Sequence, residues 1–108
     1  MRRRDSKRPL LSASAVWSLG AAIGALAGAK RHGVRVPADL SLVAFHDVPI
    51  AAYLDPPLTT VRMPLGEMAE VAVELLLGAV RGEAVRSTVL RTRPVLVERA
   101  STAPPSVR

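Results

Sequence analysis

His46 and Asp47 are the one polar pair that stands directly after a nearly continuous apolar run, Leu40-Ser41-Leu42-Val43-Ala44-Phe45. An imidazole beside a carboxylate can both donate and accept hydrogen bonds. In open α/β sheets ligands sit outside the carboxyl ends of the strands, which makes His46 and Asp47 the candidate ligand-binding residues. The same residues admit a second reading, in which Asp47 caps the following turn and His46 is a partly buried, hydrogen-bonded imidazole. Catalytic chemistry lacks its parts. There is no Gly-x-Ser-x-Gly elbow, and the other histidine, His32, falls at a helix end. Gly20, Gly24 and Gly28 recur every four residues on a helix, which suits close helix packing and not a phosphate-cradling loop. With no cysteine there is no thiolate, and a lone His-Asp pair lacks the further ligands zinc requires. The expectation is therefore no enzyme, no cofactor and no metal.

The elements that must position this pair follow from local patterning. An apolar run such as Leu40–Phe45 is that of a strand covered on both faces, as in a parallel sheet. Ahead of it, apolar residues recur at helical spacing from Ala15 to His32; Lys30, Arg31 and His32 suit the negative dipole end, and Gly33 suits a left-handed cap. Val36-Pro37-Ala38-Asp39 reads as a turn, with Asp39 able to bond nearby amides. After the pair, Pro49 to Leu54 places Ile50, Tyr53 and Leu54 on one helical side, and Asp55-Pro56-Pro57 ends it. Leu58–Val61 predicts a short strand. Pro64 fits the first turn of a helix over Leu65 to Arg81, with Gly82 as its stop. Ser87–Leu90 and Val95–Glu98 predict two further short strands around Pro94. The class is α/β, a partial parallel sheet flanked by helices.

At 108 residues there is room for one domain with a modest core, built from aliphatic side chains because only Trp17, Phe45 and Tyr53 are aromatic. The formal charge of +6 is concentrated: Arg2, Arg3, Arg4, Lys7 and Arg8 against Asp5 leave the body near neutral. Residues 1–13 therefore predict a basic, disordered leader, residues 14–102 the folded domain, and residues 103–108 a disordered tail. The leader supports two other expectations. Followed by apolar Leu10–Ala29 it has the outline of a signal peptide, which would make the chain a secreted solute-binding fragment. Its cations also suit nonspecific, salt-sensitive nucleic-acid contact, without any helix-turn-helix pattern.

Gly33-Val34-Arg35-Val36-Pro37-Ala38-Asp39-Leu40-Ser41, the run on to Phe45-His46-Asp47, Pro56-Pro57-Leu58-Thr59-Thr60-Val61-Arg62, Met68 and Arg99-Ala100-Ser101-Thr102 occur in an order and spacing with a known parallel. From about Ala22 to Pro105 the chain resembles the C-terminal part of the LacI/GalR family of transcription regulators. The resemblance implies a fragment of a periplasmic-binding-protein-like (type I) sensor domain, cytoplasmic, that binds a small sugar-like effector. It also implies a homo-oligomer, with Ile50, Tyr53 and Leu54 at the dimer interface. The DNA-binding head and first lobe would lie outside this chain, which would make no specific DNA contact of its own. The helix Leu65–Arg81 would pack on that first lobe. The family's ligand-gripping acid has its place at His46, so that only Asp47 matches the usual Phe-Asp-Asp end. Ser18-Leu19 stands where an Asn-Asp pair is common, and Ala44 where glycine is usual.

Overall fold

The computed structural model describes residues 13–105. Its elements are β1 (Ala13–Val16), α1 (Leu19–Arg31), β2 (Ser41–Phe45), a 3-10 turn (Pro49–Tyr53), β3 (Thr59–Arg62), α2 (Leu65–Val80) and β4 (Val95–Val97). They fall into two compact units, one running to Arg62 and resuming at Leu96, the other Met63–Val95. The four strands make one sheet in the order β1-β2-β3-β4. β1 and β2 are parallel, with Ala13 beside Ser41 and Val16 beside Ala44; β2 and β3 are parallel, with Val43 beside Thr59 and Phe45 beside Val61. The α/β class and the strand at Leu40–Phe45 are as the sequence indicates.

β1 corrects the sequence reading, which ran one helix from Ala15 to His32. Alanine and serine carry little strand preference, so nothing local marks Ala13–Val16 as extended; pairing with β2 overrides alanine's helix propensity. The boundary is set by Ser18, whose backbone is extended and whose Oγ accepts from the Ala21 amide at 3.1 Å, leaving α1 to start at Leu19. At the far end Gly33 takes φ +69° and the Val34 amide reaches back to the Ala29 carbonyl at 2.8 Å. Strand, helix and strand thus complete a βαβ unit.

The core of this unit is small. Ala22 of α1, Leu42 and Ala44 of β2, Ala51 and Leu58 are fully buried, with Val16, Leu19, Ala25, Leu26, Val36 and Leu54 packed around them. Alanine at the helix-sheet contact lets the backbones approach. The glycines do not serve this end: a side chain added at Gly24 or Gly28 would meet nothing within 4 Å, so the close packing expected of them is not made among the described residues.

The segment after β4 is lashed across the sheet by polar bonds. Ser101 is fully buried; its Oγ donates to the Leu42 carbonyl at 2.6 Å and accepts from the Thr59 amide at 2.8 Å. The Leu42 amide donates to the Ser101 carbonyl at 2.9 Å. Ala103, first residue of the expected tail, donates to Ser41 Oγ at 3.0 Å. Residues 1–12 of the expected leader and 106–108 of the tail lie outside the described residues; Ala13 opens β1.

In the second unit α2 begins after Pro64, which is the N-cap and not a residue of the first turn. Gly82, at φ +84°, ends it. Leu65, Met68, Val73, Leu76, Leu77 and Val80 are all exposed. The strand expected at Ser87–Leu90 does not form, and Val89 is 92% exposed. A short apolar run becomes a strand only where a neighbour supplies the ladder, and of the two runs around Pro94 only Val95–Val97 joins the sheet.

Ser101→Ala leaves a buried carbonyl and a buried amide each short of a partner, so denaturant unfolding should show a loss of about 2–4 kcal/mol. A loss within about 0.5 kcal/mol would contradict the lashing role.

Candidate functional site

Because β1, β2 and β3 run parallel, their carboxyl ends share one edge of the sheet. That edge carries Trp17 and Ser18 after β1, His46 and Asp47 after β2, and Arg62 at the end of β3. The sequence reading of His46 and Asp47 as a strand-end pair therefore has its geometric premise. The two side chains are nonetheless placed very differently.

Asp47 is held by the protein. Its Oδ1 accepts from Arg99 Nη2 at 2.7 Å and Thr60 Oγ1 at 2.9 Å; its Oδ2 accepts from Arg62 Nη2 at 2.8 Å and Nε at 3.2 Å. The carboxylate side chain is only 9% exposed. Hydrogen bonds from Arg62, then Arg99, outweigh the cost of burial and push its pKa down from 3.8 to about 2. It makes no capping bond to the turn at Pro49–Tyr53, so the capping alternative is not what the carboxylate does. Arg99 is itself anchored, Nη1 donating to the Leu58 carbonyl at 2.8 Å and to Thr60 Oγ1 at 3.2 Å. The result is a latch joining the ends of β2 and β3 to the segment after β4.

His46 is the opposite case. Its backbone takes φ +75°, a left-handed conformation that costs a non-glycine residue roughly 1–2 kcal/mol. Its amide donates to the Val61 carbonyl at 3.0 Å, which fixes it to β3. The ring nitrogen Nδ1 is buried without a hydrogen-bond partner. Strained backbone and an unsatisfied buried polar atom are both costs to folding, and such costs concentrate at ligand sites.

Three residues of this edge carried no role in the sequence reading. Arg62 and Arg99 belong to quoted motifs, but their shared target is 15 and 52 positions away, and no local signal links them. Trp17, which continues β1 by one step, stacks on Phe45 with ring centroids 4.6 Å apart and planes at 18°, and remains 78% exposed. Its pairing follows from the register of β1 and β2, legible only once β1 is known. Ser18 Oγ is occupied in capping α1. Of the residues expected at a dimer contact, Ile50 is 50% and Tyr53 84% exposed, whereas Leu54 packs against the core. Among the described residues no group of three or more His, Cys, Asp or Glu is placed to hold a metal, and no helix is long and apolar enough to cross a membrane.

Three parallel strands with a helical crossover and polar groups gathered at their carboxyl ends define an open-sheet α/β module, a class whose ligand sites lie at that edge. A family model of the periplasmic binding protein-like domain matches residues 1–102. A Streptomyces limosus protein described as an uncharacterized HTH-type transcriptional regulator in the aml 5' region is 48% identical over 82 residues, 76% of this chain and 23% of that protein. The crystal structure of a LacI family transcriptional regulator from Mycobacterium smegmatis superposes with a TM-score of 0.77 at 43% identity, covering 87% of this chain and 34% of that one. A lac repressor dimer bound to operator and the anti-inducer ONPF superposes with a TM-score of 0.69 at 31% identity, covering 86% and 32%. The chain belongs to the periplasmic binding protein-like family, within the effector-binding domain of LacI-family regulators. These relatives are transcription regulators and not enzymes, and the chain spans about a quarter to a third of their length.

The latch sets a pH dependence. A carboxylate whose folded pKa is depressed contributes stability that is complete above its unfolded value of 3.8 and is lost as pH falls toward 2. Asp47→Asn should cost about 1–2 kcal/mol near neutrality, after allowing for solvent screening at the exposed Arg62, and progressively less in acid. Denaturant melts at about pH 6 and about pH 2.5 check this, and an equal loss at both would contradict it.

Proposed function

We propose that this chain is the effector-binding and dimerisation segment of a LacI/GalR-type transcription regulator, acting in the cytoplasm on a small, sugar-like molecule. The observation that carries the reading is His46, held in a left-handed conformation at the carboxyl edge of three parallel strands with Nδ1 unpartnered. His46 contacts the effector, and Asp47 keeps it in place through Arg99, Arg62 and Thr60. The sensing segment, residues 14–102, extends to Ala13, which opens β1, and to Ala103, which bonds Ser41. This segment reads the effector and makes no specific operator contact.

The lac repressor relative is a dimer that holds both operator and an anti-inducer, which supports carrying effector control and homo-oligomerisation to this chain. Exposed Ile50 and Tyr53 in the turn after the site support that turn as the dimer contact, with Leu54 backing it from the core. An effector that favours one arrangement of such a domain shifts the population of the whole regulator toward it.

The test is calorimetric titration of the full chain with a panel of neutral monosaccharides, disaccharides and nucleosides, repeated with His46→Ala. Loss of one buried hydrogen-bond partner should weaken a panel compound by about 1–3 kcal/mol. Unchanged affinity in His46→Ala would remove the residue from the site.

A further inference from the structure

We infer that the segment between α2 and β4 is a cleavage site for an arginine-directed serine protease, cut first between Arg86 and Ser87, and that the C-terminal piece stays bound to the first unit after the cut.

A protease of this class takes its substrate as an exposed, extended chain and inserts one arginine into an acidic pocket. The bond it cuts must therefore lie in backbone whose own hydrogen bonds are not already spent. At the end of α2 the amides of Arg81, Gly82 and Glu83 are all bonded to carbonyls of the last turn. Residues 84–93 then belong to no helix or strand, and their backbone makes no hydrogen bond among the described residues. Every residue from Gly82 to Val89 is exposed.

The segment carries Arg86, Arg91 and Arg93, none of them in a hydrogen bond or ion pair among the described residues. The three are not equal. Arg93 precedes Pro94, whose ring replaces the amide hydrogen at the bond to be cut. Arg91 lies between half-buried Leu90 and Thr92, whose hydroxyl donates to Glu67 Oε2 at 2.6 Å and holds the chain there. Arg86 has exposed residues on both sides. The other described basic residues are each held: Lys30 and Arg31 in α1, Arg35 by Asp39, Arg62 in β3, Arg81 at the end of α2, and Arg99 by Asp47.

The step is a hydrolysis. Water supplies a hydroxyl to the Arg86 carbonyl carbon and a proton to the Ser87 nitrogen as the bond between them breaks. The piece that begins at Ser87 keeps its ties to the first unit: Arg99 to Asp47 at 2.7 Å, the Ala100 amide to the Pro57 carbonyl at 3.0 Å, Ser101 to Leu42 and Thr59, and Ala103 to Ser41. The chain leaves the first unit at Arg62 and returns at Leu96, so the cut removes one of two covalent connections to the second unit and none within the first.

The experiment is limited digestion of the full chain with trypsin, read by denaturing mass spectrometry for the bonds cut and by native gel filtration for what stays together. Within residues 13–105 the first cut is expected after Arg86, with the two pieces co-eluting until denaturant separates them. Arg86→Gln should slow the first cut at least about fivefold and move it to Arg91, whereas Arg93→Gln should change neither rate nor position. A first cut after Lys30, Arg31, Arg35, Arg62, Arg81, Arg91 or Arg99 would overturn the site, and so would an unchanged rate in Arg86→Gln. Separation of the C-terminal piece on native gel filtration would overturn its retention.

Discussion

Asp47 sits where β2 ends and draws in Thr60 and Arg62 from β3 and Arg99 from the segment after β4, partners 13, 15 and 52 positions away. A carboxylate taken this far out of water is stable as an anion only because guanidiniums and a hydroxyl answer its lone pairs. The same partners become fixed in return, since Arg99 extends the network to the Leu58 carbonyl and Thr60. With five fully buried apolar side chains among the described residues, three of them alanines, this unit relies on polar bonds to set where its strands and C-terminal segment lie. Ser101, between Leu42 and Thr59, repeats the device at the other end of the strands.

That dependence explains what could be read from the sequence. β2, β3, the cap at Gly33, the turn closed by Asp39 and the helix from Leu65 are local: apolar runs, β-branched pairs and a glycine at positive φ announce themselves within a few residues. The strand-end position of His46 and Asp47 was legible for the same reason. β1 was not, because Ala13-Ser14-Ala15-Val16 becomes a strand through its partner and not through its composition. Ser87–Leu90 failed the other way, with strand-like residues and no neighbour. Nor could sequence separate the two members of the pair, since the distinction lies in which distant arginines arrive: Asp47 receives two, His46 none.

The division of labour at the edge follows. Asp47 is committed to the fold, while His46, strained and unsatisfied beside it, is the group with something to gain from a ligand. Trp17 adds a broad exposed ring at the end of the neighbouring strand, stacked on Phe45. On the reading proposed above, a ligand at His46 would act one residue from the carboxylate that ties β2 to β3 and to the C-terminal segment. Under that reading, contacts made in one arrangement and not in another would shift the population toward the first.

The latch at Asp47 is the claim on which the rest stands, and a double-mutant cycle between Asp47→Asn and Arg99→Gln, read by equilibrium unfolding of the full chain near neutral pH, tests it most directly. Coupling of about 1–2 kcal/mol is expected, because each substitution strands the other member of a desolvated pair. Effects that simply add, to within about 0.5 kcal/mol, would show that the two groups do not act together and that the edge is organised by something else.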